Sequence, residues 1–194
     1  MKNYLVAVTG GIGSGKSTAV KILKDSGYTV FSADDIYRKL LKNKTFQKAV
    51  YAAAGIEKHG EKFEFSKVSE AVFNDEKKLE KLNAVTHPAI MNAMLSESKA
   101  AGGLVFNEVP LLFEGGYEKF YNEVIIVVRD ENSRIESVMK RSGLTREDVI
   151  KRIKKQFDYE NTENTAHTVI SNDGDLIAFS EKVKTVAENI GKKL

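Results

Sequence analysis

The chain has no cysteine among its 194 residues. Disulfides, thiolate nucleophiles and cysteine-bound zinc are therefore excluded, and the sequence carries no information about redox compartment. An excess of one charge is also missing: 30 basic and 27 acidic residues leave a formal net charge of +3. The lysines are spread along the whole chain rather than gathered into the basic stripe of a nucleic-acid binder. A local anion site, with no nucleic-acid partner, is the expectation. No apolar stretch approaches the length of a membrane span. The apolar run at the N-terminus is too short for a signal peptide and leads directly into a glycine-rich turn. Neither internal repeats nor low-complexity tracts occur. These absences point to a cytoplasmic protein with no membrane partner. What is present is ordinary for a globular protein, 42% hydrophobic and 29% charged, in a length that suits one domain or one core with insertions.

The most informative stretch is Thr9-Gly10-Gly11-Ile12-Gly13-Ser14-Gly15-Lys16-Ser17-Thr18. Gly10, Gly15, Lys16 and Ser17 satisfy G-x-x-x-x-G-K-[ST], the phosphate-binding loop. Its context is right: Leu5 to Val8 is an apolar run that predicts a buried strand, and Thr18 to Leu23 has helical spacing. Glycines permit positive φ and close backbone approach, so successive N–H groups can form an anion nest. The following helix offers its free N–H groups to the same phosphates. Lys16 is expected to reach the β- and γ-phosphates, and the Ser17 hydroxyl to ligate Mg²⁺. ATP and Mg²⁺ are the cofactors this implies.

Further along, Gly27 suits a left-handed helix C-cap, and Tyr28 to Phe31 predicts a second strand. Ser32-Ala33-Asp34-Asp35 follows at once. Ligands of open α/β sheets bind beyond the carboxyl ends of the strands, so a carboxylate here belongs on the side of the phosphate loop. The alternative is that both aspartates cap a helix starting near Ile36. From Lys39 to Ala100 the pattern changes to lysine-rich helical stretches. Gly55 to Gly60 reads as a loop and Phe63 to Phe65 as a possible short edge. Asn74-Asp75-Glu76 supplies a cap for a helix holding Leu79 and Leu82, and another helix is expected to begin at His87-Pro88, proline being favoured at a first helical position.

Alternation then resumes. Leu104 to Phe106 is a third strand, ending near Glu108. Val124 to Val128 is a run of five Val and Ile residues, suited to a parallel strand covered on both faces. A helix carries Arg134, Met139 and Arg141. Thr145 and Asp148 resemble a capping box that opens a strongly charged segment, expected to be exposed and mobile, with the arginines of a lid. Thr168 to Ile170 is a last short strand before a helix with Phe179, Val183, Val186 and Ile190 on one face.

Five strands alternating with helices predict an α/β parallel sheet, and with the loop a P-loop NTPase fold of three layers. A regulatory GTPase needs D-x-x-G and N-K-x-D, yet no aspartate has glycine three positions on and Asn43-Lys44 continues as Thr45-Phe46. A mechanical ATPase needs an acidic residue at a strand end to activate water; Glu108 could serve, but accessory motor elements are lacking. A small kinase acting on a metabolite remains, with Asp34 as the carboxylate for the acceptor hydroxyl.

The chain resembles the dephospho-coenzyme A kinase family over nearly its whole length. The resemblance rests on the phosphate loop, Ala33-Asp34 with Ile36 and Arg38, Val72-Phe73, His87-Pro88 with Ile90, and Pro110-Leu111-Leu112-Phe113-Glu114. It continues through Arg134, Arg141, Arg152-Ile153 with Gln156, and Val169-Ile170-Ser171-Asn172 with Gly174. It implies transfer of the ATP γ-phosphoryl group to the ribose 3′-hydroxyl of dephospho-coenzyme A, the last step of coenzyme A synthesis. By the same resemblance Asp34, Lys16 and Arg141 are catalytic. Gly11, Gly13, Ser14, Gly15, Lys16, Ser17, Thr18, Arg141 and Asn172 bind the nucleotide, with Ser17 on the metal. Asp34, Arg38, His87, Pro110 and Leu111 bind the acceptor. Residues 1–38 and 101–194 would form the nucleotide-binding core, with a lid at about 141–164, and residues 39–100 an inserted helical region for the acceptor. A monomer or small homo-oligomer is expected. Three positions depart from the family pattern: Ser32 and Phe65 stand where aspartate and arginine are common, and Ala166-His167 replaces Ala-Asp.

Overall fold

A computed structural model of the chain describes residues 3–57, 62–73, 75–159 and 167–194. Asn74 and Ala166, residues 58–60 of the expected loop and 160–164 of the expected lid lie outside the described residues. The chain divides into two compact units, Met1–Phe31 with Ser98–Leu194, and Ser32–Glu97.

The first unit is built on a five-stranded parallel sheet of order β2-β3-β1-β4-β5. Its strands are β1 (Tyr4–Thr9), β2 (Thr29–Ser32), β3 (Leu104–Glu108), β4 (Glu123–Val128) and β5 (Thr168–Ser171). β1 is central and pairs with β3 from Tyr4↔Leu104 to Val8↔Glu108, and with β4 from Val6↔Glu123 to Thr9↔Ile126. Both faces of β1 and β4 are buried, which is why their sequences are continuous apolar runs and not alternating ones. On one face Val6, Val8, Phe106, Ile125, Val127 and Ile170 pack against α1 (Lys16–Asp25) and α8 (Leu176–Gly191). α8 contributes Phe179, Val183, Ala187 and Ile190 at spacings of three and four, as its periodicity requires. α1 ends in a Schellman motif: Gly27, at φ 86°, donates to the Lys24 carbonyl, and Tyr28 N–H reaches back to Leu23. The first unit also holds α6 (Glu131–Ser142) and α7 (Arg146–Lys154).

α7 departs from the expected fully exposed segment. Its charged residues do face solvent, but Val149 is completely buried and joins Ile135 and Val138 of α6, with Leu144, Ile150 and Ile153 around them. Its N-cap is Thr145, whose hydroxyl oxygen accepts from Asp148 N–H at 3.2 Å. The hydroxyl proton points to the Asp148 carboxylate at 2.7 Å, closing the cap through side chains.

The second unit contains α2 (Ala33–Leu40), α3 (Lys44–Ala53), α4 (Phe65–Phe73) and most of α5 (Glu76–Ala101). Val50, Tyr51, Ala54 and Val68 form its core with Phe46, Phe63 and Leu82. Phe63–Phe65 is not an edge strand. Glu64 N–H donates to the buried Tyr51 hydroxyl at 2.7 Å instead of to a neighbouring strand, and Phe65 opens α4.

Two expected helix boundaries also change. α2 begins at Ala33, capped by Ser32, whose hydroxyl accepts from Asp35 N–H at 3.2 Å; neither aspartate is the cap. No helix starts at His87-Pro88. α5 runs for 26 residues with Pro88 inside it. Proline in a helix interior costs roughly 3 kcal/mol. Burial on both sides offsets this, through Leu82 before it and Met91 and Met94 after it. The Thr86 hydroxyl donates to the Leu82 carbonyl, so the turn before the proline keeps a side-chain bond. Among the described residues, no helix is long and apolar enough to cross a membrane.

The sheet core makes a direct prediction. Phe106→Ala, at the centre of the buried face, should cost about 3–5 kcal/mol, measured as a lower urea midpoint; an unchanged midpoint would contradict this packing.

Candidate active site

The glycine-rich loop joins the carboxyl end of β1 to α1, and its shape requires glycine. Gly13 and Gly15 have φ of 78° and 103°, and Gly15 is the residue from which α1 starts. A Cβ on Gly13 would stand 2.6 Å from the Arg134 carbonyl oxygen, and one on Gly11 would stand against the Arg134 guanidinium. α1 has neither a side-chain N-cap nor an acidic residue in its first turn. The helix itself therefore supplies no carboxylate to its N-terminal dipole, which suits an anion site.

The rest of the first unit braces the loop from below. Arg134, buried to 4% exposure, donates from Nε to the Ile12 carbonyl at 3.0 Å. Gln156 Oε1 accepts from Ile12 N–H at 2.7 Å. Asn172, at the end of β5, donates from Nδ2 to the Ser14 carbonyl at 2.9 Å. The Ser14 hydroxyl is buried with no hydrogen-bond partner among the described residues.

Lys16 folds over the loop and donates to the carbonyls of Gly10 at 2.6 Å and Gly11 at 2.9 Å. Enclosure of its ammonium lowers its pKa to about 8. Glu108 opposes that fall, Arg134 and Arg141 add to it, and Glu114 opposes it weakly. The charge of Arg141, exposed in the last turn of α6, is thus felt at Lys16. Ser17 donates to Glu108 Oε1 at 3.1 Å. Register explains that pairing: Glu108 ends β3 directly beside Val8, the residue before Thr9 and the loop.

Pro110 and Leu111 follow β3 in a turn. The Pro110 carbonyl accepts from the Tyr159 hydroxyl at 3.4 Å, and that hydroxyl lies 3.3 Å from Thr9 Oγ1. Burial pushes the Tyr159 phenol up to about 12 against the lowering effect of Thr9, so it stays protonated. Glu114 accepts from Phe157 N–H at 3.0 Å, and the Phe113 and Phe157 rings stack at 4.4 Å. His167 joins this aromatic group at 5.5 Å from Phe113.

The structure therefore brings Gly11, Gly13, Ser14, Gly15, Lys16, Ser17 and Thr18 together with Asn172, and puts Arg141 within electrostatic reach. The remaining expected residues of the acceptor side belong to the second unit. Asp34 is exposed in the first turn of α2, two residues beyond β2. Arg38, one turn on, pairs with Asp35 at 3.3 Å in an exposed contact. His87 is a half-buried residue within α5 and not a cap; burial lowers its pKa and favours the neutral ring. Sequence reasoning gave no role to Gln156 or Tyr159 and saw Glu108 only as a water activator. The signal for Glu108 was its place at the end of a strand adjoining β1.

A parallel sheet with a G-x-x-x-x-G-K-S loop after its central strand, a serine–carboxylate pair beside it and flanking arginines defines a P-loop kinase. Comparison narrows the class. The family model for dephospho-CoA kinase matches residues 4–178, and the chain belongs to that family. A dephospho-CoA kinase of Fusobacterium nucleatum is 34% identical over 195 residues, covering 98% of this chain and all of that protein. A crystal structure from Thermus thermophilus superposes with a TM-score of 0.78 at 32% identity, covering 97% of this chain and 98% of the other. Dephospho-CoA kinase from Campylobacter jejuni follows at 0.68 and 27%, with 98% of both chains covered.

The two tight loop glycines should respond differently to substitution. Gly13→Ala meets rigid backbone at positive φ and should weaken ATP binding more than Gly11→Ala, which meets the movable tip of Arg134. Isothermal titration with ATP checks the order; equal affinities would contradict the bracing geometry.

Proposed function

We propose that this protein transfers the γ-phosphoryl group of ATP to the ribose 3′-hydroxyl of dephospho-coenzyme A, giving coenzyme A and ADP, the last step of coenzyme A biosynthesis. One observation carries this reading: the phosphate loop, with Lys16 and the Ser17–Glu108 pair, sits in a chain of the dephospho-CoA kinase family. The new bond forms between the acceptor oxygen and the γ-phosphorus. The bond from that phosphorus to the β–γ bridging oxygen breaks, and the hydroxyl proton passes to Asp34.

Little covalent chemistry falls to the protein, so placement and charge neutralisation dominate. The loop amides from Gly13 to Thr18 hold the donor phosphates, with Gly11 giving the backbone room to approach. Lys16 exchanges its bonds to the Gly10 and Gly11 carbonyls for phosphate oxygens and carries positive charge to the group in transfer. Arg141 adds a second cation on that side, and Asn172 keeps the Ser14 peptide in place from beneath. The Ser17 hydroxyl and the Glu108 carboxylate are hard oxygen donors 3.1 Å apart, a set that fits Mg²⁺. Ser17 would hold the ion, with the Glu108 carboxylate beside it. Once bound, the ion neutralises charge developing on the phosphates.

Asp34 follows β2 by two residues, and ligands of such sheets bind beyond the carboxyl ends of the strands. We assign it to the acceptor hydroxyl, with Arg38 one turn further along the same helix. His87 of the second unit and the Pro110-Leu111 turn complete the acceptor set, and residues 39–100 form its binding region. Residues 141–164 serve as the lid. The protein acts on small molecules in the cytoplasm, as a monomer or small homo-oligomer, without nucleic acid; its near-balanced charge supports this.

The test is a panel of acceptors with Mg-ATP, read by mass. Dephospho-coenzyme A should gain one phosphoryl group; product only from a nucleoside monophosphate or shikimate would overturn the reading. Asp34→Asn should reduce kcat by about 10²–10⁴ with ATP affinity within a few-fold of the parent. An equal loss of both would assign Asp34 to the donor side.

A further inference from the structure

Ile12 is held at three points at once. Its N–H donates to Gln156 Oε1 at 2.7 Å, and its carbonyl accepts from the buried Arg134 at 3.0 Å. Its side chain packs into the cluster of Ile135, Val138 and Val149, between α6 and α7. Two of these grips come from α6. The third comes from Gln156, one residue beyond the Lys155 C-cap of α7, and its own N–H donates to the Ile153 carbonyl. Because a backbone N–H can only donate, the Gln156 amide must present its oxygen.

The following residues are tied down on the other side, Phe157 N–H to Glu114 and the Tyr159 hydroxyl to Pro110. Residues 156–159 therefore form a strap with the phosphate loop at one end and the turn after β3 at the other.

We propose that Gln156 is a positioning residue of the donor site: by accepting from Ile12 N–H it fixes the peptide planes entering Gly13 and sets where the loop places the transferring phosphoryl group. This rests on the donor-site reading above. The physical argument is one of leverage. Gly13 has no Cβ to restrict its φ, so the orientation of the Ile12 peptides, not side-chain sterics, fixes the direction of the next amides. Arg134 alone anchors one peptide plane. Gln156 anchors the N–H edge of the plane before it, whose Gly11 carbonyl accepts from Lys16 and Ser14 N–H, and two adjacent planes held together fix the entry to Gly13. The same bond makes the seat of α7 and the shape of the loop mutually dependent, so a shift of α7 reaches the phosphates through one amide.

The test compares Gln156→Met with Gln156→Glu. Methionine keeps length and loses the acceptor; glutamate keeps an acceptor on the same stem. With ATP and dephospho-coenzyme A, Gln156→Met should lose about tenfold to a hundredfold in kcat, as small misplacements do, with a smaller change in the KM for ATP. Gln156→Glu should return to within about threefold of the parent, and both should melt within a few degrees of it. Amide hydrogen exchange at Ile12 in the nucleotide-free protein should accelerate in Gln156→Met but not in Gln156→Glu, a readout independent of the acceptor's identity. Parent-like kcat in Gln156→Met, an equally impaired Gln156→Glu, unchanged exchange at Ile12, or a loss that follows melting temperature would each overturn the proposal. If the parent phosphorylates no dephospho-coenzyme A while exchange behaves as stated, the acceptor assignment fails and the anchoring stands.

Discussion

The backbone between β1 and α1 has to keep several amides pointing at empty space, and a polypeptide left to itself does not do this. Buried or enclosed N–H groups find acceptors wherever the chain can bend towards them. Here the loop is held open by glycines at positive φ and by partners on its carbonyls: Arg134 at Ile12, Asn172 at Ser14, and Lys16 at Gly10 and Gly11. One internal bond remains, from Ser14 N–H to the Gly11 carbonyl at 3.2 Å, and the partners on the other carbonyls limit further closure. The sheet contributes by holding Thr9 in a buried central strand, so the loop departs from a fixed point. Anion binding is in this sense a consequence of bonds made on the opposite side of the loop.

The same arrangement explains why the site combines so many charges within a small space. Arg134 is buried beneath the loop, Lys16 lies over it, and Arg141 acts from the end of α6. Burial is the main cause of the lowered pKa of Lys16, the repulsion from Arg134 and Arg141 adds to it, and Glu108 is the largest force opposing it. An incoming polyphosphate reverses the sign of that environment, so the repulsion stored among the cations becomes attraction for the donor.

What could be read from the residues alone divides along the range of the interactions involved. The central strands were legible because burial on both faces leaves uninterrupted apolar runs, as in Val124 to Val128, and the loop because its geometry demands glycine and lysine at fixed offsets. Gly27 announced its helix end for the same local reason. The misjudged features were those where tertiary contacts outweigh local preference. Pro88 signals a helix start, yet Leu82, Met91 and Met94 carry α5 through it. Phe63 and Phe65 have strand character, yet the Tyr51 hydroxyl takes the Glu64 amide. Asp34 and Asp35 are good caps, but Ser32 stands one residue before the helix and takes the position, which leaves the Asp34 carboxylate uncommitted to capping. The grips on Ile12 left no local trace at all, because their residues lie at the far end of the chain.

That distance has a consequence for how the site is assembled on folding. The loop is separated from its partners by 91, 122, 144 and 158 residues, at Glu108, Arg134, Gln156 and Asn172. Contacts of such long sequence separation form late in folding. The motif is contiguous in sequence, but its shape depends on closing these long loops, the longest of them brought in by Asn172 beyond β5.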